Sequence, residues 1–388
     1  MGLFRAVIII LFLGIFFYVS HQLLRFTDLT FAPAFGVIVF LALMFGLVLS
    51  MPLYFWSERR LQHKPWHDAF FAASHFALAY INFLGTLVIL RDIAGFAVHY
   101  LPLHWTTEWM QKDLYGTTAT GLLLILPFIM ILIGTVTVRI GPRVKTMKLR
   151  FADLPAAWEG LRILHITDLH IGASLPQQFV EKLVLAAEKV KADLVVYTGD
   201  ILDGSAVRHL TEIEMLKKIQ APLGSFYVTG NHEYYWQIGQ ALAAFRSLGF
   251  HVLLNDVINV QKDGHLLQVG GVPDPAAAMA AMEGPNFKKL QQQFKEKSFR
   301  ILLSHQPSLA PQAAEAGFHL QLSGHTHGGQ FFPWNFLIGF FQKYAKGLYH
   351  IKNLQLYVNQ GTGYWGPSLR MGTYCELTEI ILTRGEGK

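Results

Sequence analysis

The chain opens with long apolar stretches and closes with short ones. Charged residues are absent from Ala6 to Leu24, Leu29 to Ser57, Ala69 to Leu90 and Leu114 to Val138. Each stretch holds about 19 or more residues, enough for a helix to cross a hydrocarbon core of roughly 30 Å, so the pattern predicts four membrane-spanning helices. The first lacks a small-residue cleavage site and is followed by three more apolar segments, which predicts an uncleaved anchor and not a signal peptide. A shorter stretch, Ile93 to Thr107, carries His99, Tyr100, Pro102, His104 and Trp105 and predicts an interfacial segment.

After about Arg150 the period changes. Leu161 to Ile166, Leu194 to Tyr197, Phe226 to Val228, Arg300 to Leu303, Leu356 to Val358 and Leu377 to Leu382 are short apolar runs that predict strands, with further strands around Val252, Leu267 and Leu322. Between them, Pro176 to Lys191 places Phe179, Leu183, Ala186, Ala187 and Val190 on one helical face. Val207, Leu210, Ile213, Leu216 and Ile219 repeat the spacing, and Gln240 to Leu248 predicts a third helix. Strands alternating with helices predict an α/β domain with sheets packed together and helices outside. The expected organisation is an α-helical transmembrane bundle over 1–142, a basic linker over 143–160 and the α/β domain over 161–388.

Composition supports this division. Of 388 residues, 52% are hydrophobic and 15% charged, against roughly a quarter charged in an ordinary soluble protein. One cysteine, Cys375, excludes a disulfide scaffold. The net charge of +6 matters for where it sits. Arg5, then Arg59, Arg60 and Lys64, then Arg139, Arg143, Lys145, Lys148 and Arg150 fall on one side of the expected spans, with only Arg25, Arg91 and Lys112 on the other. The positive-inside rule then puts both termini and the α/β domain in the cytoplasm, and the basic cluster reports topology, with no nucleic acid expected as partner.

Polar clusters follow the apolar runs directly: Asp168-Leu169-His170, Gly199-Asp200-Ile201-Leu202-Asp203, Gly230-Asn231-His232-Glu233, Ser304-His305 and Ser323-Gly324-His325-Thr326-His327-Gly328-Gly329. Ligands in α/β sheets bind beyond the carboxyl ends of strands, so these clusters converge on one place. Two-residue spacing on an extended chain would make Asp168 with His170, and His325 with His327, chelating pairs. With Asp200, Asn231 and His305 the donor set is mixed nitrogen and oxygen without thiolate, which favours Mn, Fe or Zn. Seven such ligands are too many for one ion and fit two divalent ions sharing a carboxylate. Gly199, Gly230, Gly324, Gly328 and Gly329 would let the backbone turn sharply beside them.

These blocks resemble the calcineurin-like metallophosphoesterase superfamily, whose ordered signature is D-x-H, G-D-x-x-D, G-N-H-[DE], H and G-H-x-H. The runs GNHEYY (Gly230 to Tyr235) and SGHTHGGQ (Ser323 to Gln330) resemble its YkuE-type membrane-attached bacterial branch. The resemblance covers roughly Leu161 to Leu382 and implies a four-layer α-β-β-α sandwich. It also implies one metal held by Asp168, His170, Asp200 and His327, and a second by Asp200, Asn231, His305 and His325. A metal-bridging hydroxide would attack phosphorus, His232 would protonate or stabilise the leaving oxygen, and Asp203 would orient His232. Gly204 follows Asp203 where Ser/Thr protein phosphatases of the superfamily carry an arginine, which argues against a phosphoprotein substrate.

The aromatic run Phe331 to Phe341, followed by Lys343, Tyr344 and Lys346, and the pair Tyr364-Trp365 lie close to these motifs in sequence. One reading makes them an apolar or membrane-facing lip for a lipid-linked phosphoester or pyrophosphate, with UDP-diacylglucosamine-type hydrolysis at the inner leaflet of a bacterial plasma membrane as the leading case; the other makes them a cover for the sheet core. The competing activity is a broad phosphodiesterase acting on soluble esters. A transporter or sensor with a regulatory phosphoesterase module is the alternative from another class. The spans hold few polar side chains, His75 and Asn82 in the third and Pro127 in the fourth, which favours an anchor.

Overall fold

The computed structural model describes residues 2–25, 27–52, 65–100 and 113–385. It divides into two compact units, Met1–Thr135 and Val136–Lys388. The long N-terminal helices are α1 (Gly2–Leu24), α2 (Phe31–Leu49), α3 (Pro65–Tyr100) and α4 (Thr117–Ile140), the last running into the second unit. Among the described residues, α2, the Trp66–Val98 part of α3, and α4 are long and apolar enough to cross a membrane by length and composition. The described apolar part of α1, Ile10–Leu24, is shorter.

Two expectations change here. The interfacial candidate has no separate beginning, because α3 continues through Ile93 to Tyr100. Arg91, expected in a loop, lies inside α3 and is buried. It is accommodated by partners: its guanidinium pairs with Asp92 at 3.1 Å and donates to the Gln22 carbonyl at 2.8 Å, while the Tyr18 hydroxyl donates to Asp92 at 2.7 Å. These bonds tie α1 to α3 and satisfy a charge that would be costly to bury alone. Residues 53–57 of the second expected span, Arg59, Arg60, Lys64, residues 101–107 of the interfacial candidate and Lys112 lie outside the described residues.

The second unit is built on strands β1 (Arg143–Phe151), β2 (Arg162–Ile166), β3 (Ile171–Gly172), β4 (Leu194–Thr198), β5 (Leu202–Asp203), β6 (Ser225–Val228) and β7 (His251–Val252). They are followed by β8 (Asp256–Lys262), β9 (His265–Gly271), β10 (Ser298–Leu303), β11 (Leu320–Ser323), β12 (Gly347–Ile351), β13 (Leu354–Val358) and β14 (Glu376–Arg384). One six-stranded sheet has the order β1-β14-β2-β4-β6-β7 and the other β12-β13-β11-β10-β9-β8, with β3-β5 as a two-stranded annex. In the first, β2, β4, β6 and β7 are parallel; in the second, β9, β10, β11 and β13 are parallel. The parallel centres explain why β4, Leu-Val-Val-Tyr-Thr, is buried at every position and reads as an unbroken apolar run.

The sheets face each other through Ile163, Val196, Phe226, Val228, Leu267, Phe299, Ile301, Leu322 and Tyr357, all fully or almost fully buried. Helix α5 (Gln177–Val190) lays Phe179, Val180, Leu183, Ala187 and Val190 on the outer face of the first sheet, joined there by residues of α6 (Leu210–Met215) and, beyond α7 (Asn231–Tyr235), of α8 (Ile238–Ser247). On the second sheet, Leu290 of α9 (Phe287–Gln291) and the alanines of α10 (Ala310–Ala316) cover Leu302, Leu356 and Val358. Residues 143–160 differ from the linker expected. Arg143–Phe151 is a nine-residue strand paired in parallel with β14 over its whole length, and Trp158 is completely buried between the sheets. Its basic residues hid the strand: Lys145 lies 3.7 Å from Glu376 and Arg143 sits over the Tyr374 ring.

Candidate metal centre

The strands β2, β4 and β6 of one sheet and β10 and β11 of the other end in the polar clusters, and the structure brings all seven expected ligands together with His232 and Asp203. Three groups have donor atoms mutually within 4.8 Å: Asp168, His170 and His327; His170, Asp200 and His232; and Asp200, His305 and His325. In the first region His170 Nε2 lies 3.0 Å from His327 Nε2, and His327 Nε2 lies 3.4 Å from Asp168 Oδ1. In the other, His305 Nε2 is 3.1 Å from Asp200 Oδ2, and His325 Nδ1 is 3.2 Å from His305 Nε2 and 3.1 Å from Asn231 Oδ1. Asp200 Oδ2 also lies 3.8 Å from His170 Nε2, so one carboxylate oxygen faces both regions.

These separations fit a cation. Donors about 2.1 Å from a shared ion, in tetrahedral or octahedral arrangement, stand about 3.0–3.4 Å from each other. Tautomers point the same way. His305 Nδ1 donates to the Thr198 carbonyl at 2.8 Å, which leaves the neutral ring's Nε2 lone pair aimed at the Asp200 carboxylate. Two lone pairs at that distance repel unless a proton or a metal ion lies between them. Burial lowers His305, but Asp200, Asp168 and Asp274 outweigh it and raise it well above the ordinary imidazole range. Burial, His170 and Arg370 hold His327 well below it, and burial with His305 pushes His325 down to about 4. His325 and His327 are therefore held neutral, the form that offers a lone pair.

Extended spacing is not what pairs the ligands. Asp168, His170, Asp200, His325 and His327 have φ of 51°, 54°, 51°, 74° and 52°, in the left-handed region, so each sits on a turn beyond its strand. His325 and His327 consequently point into different regions rather than chelating together. Such backbone costs about 1–2 kcal/mol at each non-glycine position and persists only where the surroundings fix it. The surroundings do so here. Asp168 accepts from the His325 N–H at 2.9 Å and the Thr167 hydroxyl at 2.8 Å, and Asp200 accepts from the His232 N–H at 2.8 Å. At Gly230 and Gly324 an added Cβ would collide with the Asp200 and Asp168 carboxylates respectively, so both positions require glycine.

His232 Nδ1 donates to Asp203 Oδ1 at 2.9 Å, and its Nε2 lies 4.0 Å from Asp200 Oδ2. Burial lowers His232, yet the Asp203 and Asp200 carboxylates prevail and push it up to about 9. The same Asp203 oxygen accepts from the Trp236 indole at 3.0 Å.

Supporting residues were not visible as such in the sequence. The buried Glu233 carboxylate accepts from the N–H groups of Asp200, Ile201, Leu202 and Gly230 at 3.1, 2.7, 3.1 and 2.8 Å. Arg370, fully buried, donates to the carbonyls of Gln360 at 2.7 Å and Gly363 at 2.9 Å and lies 3.2 Å from His327 Nδ1. Glu233 could be found from its place after Asn231-His232; Arg370 stands in no motif. The aromatic run forms α11 (Trp334–Phe341), none of whose residues is buried; Phe336, Phe340 and Phe341 are 71%, 84% and 71% exposed. That removes the core-covering reading for α11 alone, since Tyr344 and Tyr364 are buried in the cores over the two sheets.

Residues 161–329 match the family model described as calcineurin-like phosphoesterase. A Campylobacter jejuni protein described as an uncharacterized metallophosphoesterase is 33% identical over 248 residues, 64% of this chain and 64% of that protein. A Bos taurus protein described as a transmembrane protein with metallophosphoesterase domain is 29% identical over 79% of this chain and 74% of its own. The Bacillus subtilis uncharacterized metallophosphoesterase YkuE is 29% identical over 59% of this chain and 81% of its own. The chain spans a little under two thirds of the Campylobacter relative and 60% of a Helicobacter pylori relative.

Replacing Glu233 with Gln puts amide hydrogens against backbone N–H donors. Divalent cation affinity, read by Mn²⁺ titration calorimetry of the detergent-solubilised chain, is expected to fall roughly 10–100-fold. An unchanged affinity would remove Glu233 from this supporting role.

Proposed function

On the premise that residues 161–329 carry a calcineurin-like metallophosphoesterase domain, we propose that the protein is a membrane-anchored, metal-dependent phosphoesterase that hydrolyses a phosphoester or pyrophosphate. The observation that carries this reading is two adjoining donor groups, Asp168 with His170 and His327 and Asp200 with His305 and His325, with Asp200 Oδ2 also facing His170 and the carboxylate-paired His232 beside them. Asp168, His170, Asp200 and His327 would hold one divalent ion, and Asp200, Asn231, His305 and His325 a second. When bound, the two ions would neutralise phosphate charge and make a water molecule acidic enough to act near neutral pH.

The chain's own groups supply the rest. Against burial, the Asp203 and Asp200 carboxylates raise His232 to about 9, so at neutral pH both ring nitrogens carry protons: Nδ1 donates to Asp203 and the Nε2 proton faces the shared carboxylate. A departing alkoxide or phosphate oxygen needs that proton, and a histidine raised by carboxylates keeps it at neutral pH.

The substrate is lipid-linked in this reading, and the support is α11. This eight-residue helix, Trp-Asn-Phe-Leu-Ile-Gly-Phe-Phe, begins shortly after the ligand loop that ends at Gly329 and buries none of its apolar side chains. Exposed aromatic surface of this kind marks an apolar or membrane-facing contact. The N-terminal helices serve as anchor, with four spans, and the basic residues from Arg139 to Arg150 support a cytoplasmic domain at a bacterial plasma membrane.

Asp200→Asn is expected to abolish hydrolysis of bis-p-nitrophenyl phosphate by the purified full chain while leaving thermal unfolding nearly unchanged; full turnover would overturn the two-ion arrangement. Asp203→Asn removes a carboxylate that raises His232. Since the protonated form is the active one, activity is lost as pH rises through its pKa, so the alkaline limb of kcat/KM should move to lower pH. A limb that stays put would exclude His232 as the proton donor. Phe336→Ser with Phe340→Ser should cut hydrolysis of a lipid-linked pyrophosphate about tenfold or more and spare a water-soluble ester, given the apolar area removed; equal effects on both would sink the lipid reading.

A further inference from the structure

Gln330 closes the Ser323 to Gln330 run, and no ligand role accounts for it. It is buried, with φ of 52°. Its side-chain amide is fully used on another loop: Nε2 donates to the carbonyls of Trp365 at 2.9 Å and Pro367 at 3.2 Å, and Oε1 accepts from the Trp365 N–H at 2.9 Å. Its carbonyl accepts from the Met371 N–H at 3.2 Å and from the Thr373 hydroxyl at 2.5 Å. The metal-ligand run and the loop carrying Trp365 are thereby joined at one residue.

What this staple holds in place is informative. Trp365 is 41% exposed although its backbone is bonded on both sides, and its ring centroid lies 5.9 Å from that of His232 at an interplanar angle of 71°. The Tyr235 ring lies 5.0 Å from His232 at 60°, and its hydroxyl accepts from Asn231 Nδ2 at 3.1 Å. Two aromatic rings thus stand against the histidine assigned to the leaving oxygen, and one of them is open to a ligand. Whatever is bonded to that oxygen must lie within a few ångströms of His232, where these rings are.

We propose that Trp365 and Tyr235 form an aromatic subsite for the departing half of the substrate, selecting a planar aryl or heteroaryl group, and that Gln330 is the positioning residue for Trp365. This rests on the phosphoesterase reading and adds where the leaving group binds. Stacking of a planar ring on an aromatic side chain sets a preference of roughly tenfold or more over an alkyl group.

The test measures kcat/KM of the full chain for a p-nitrophenyl and an alkyl phosphodiester, and follows their ratio in each variant relative to the parent, so intrinsic reactivity cancels. Trp365→Ala is expected to lower the ratio about tenfold. Gln330→Ala should lower it similarly, the double variant no further than either single one, and Trp365→Phe should restore most of it. A ratio unchanged in Trp365→Ala, equal losses on both esters, or additive effects of the two changes would overturn the proposal. If Trp365→Ala does not fold, Trp365→Leu reads the same ratio. A parent chain that hydrolyses neither ester when supplied with Mn²⁺ would instead overturn the phosphoesterase reading beneath it.

Discussion

The Glu233 carboxylate bonds four backbone N–H groups from two loops, those after β4 and β6, and the rest of the centre depends on that contact. Both oxygens are occupied twice, so the group has no room for a proton donor of its own. Burial and the nearby Asp200 push its pKa upward while the N–H groups of Leu202 and Gly230 pull it back. The magnitudes explain why the arrangement holds. Hydrogen bonds to a charged group contribute about 1.5–3 kcal/mol each, whereas left-handed backbone at Asp200 costs about 1–2 kcal/mol. Four such bonds outweigh the strain and offset much of the desolvation.

Strain fixed in this way has a chemical use. Left-handed turns at Asp168, His170, Asp200, His325 and His327 swing side chains off the strand axes and toward one another, which the alternating geometry of a strand cannot do. The sheets contribute across their interface as well: His305 follows β10 but bonds the carbonyl of Thr198 at the end of β4, and His325 follows β11 but gives its N–H to Asp168 beyond β2. Each sheet therefore orients ligands that the other supplies. A closely packed core between them, with Ile163, Ile301 and Leu322 fully buried, is what keeps donor atoms near 3 Å apart.

The convergence of these side chains was legible in sequence because the candidate ligands are chemically distinctive and follow short apolar runs. Asp168, His170, Asp200, Asn231, His305, His325 and His327 could be named from residue type and order alone. The mechanism of pairing could not. Two-residue spacing pointed to extended chelates, whereas the backbone conformation that separates His325 from His327 depends on glycines and on bonds from distant loops. Arg370 bonds backbone carbonyls of residues outside the motifs, and Gln330, although it closes the Ser323 to Gln330 run, acts on the distant Trp365 loop, so no local pattern reveals what either holds. Strand β1 was missed for a related reason: its basic side chains find Glu376 and Tyr374 only after β14 is in place.

The same limit applies to the apolar runs. Leu194 to Thr198 and Trp334 to Phe341 are both short and apolar, and periodicity cannot separate a buried strand from an exposed helix at that length. One is buried at every position and the other at none. The difference comes from neighbours: β4 lies between β2 and β6 and has sheet partners on both edges, while α11 follows a ligand loop whose geometry is already set by His327 and Gly329. An apolar helix none of whose residues is buried adds little to the packed core of the domain. In the lipid-linked reading proposed above, α11 rather than composition is therefore the feature that bears on the substrate.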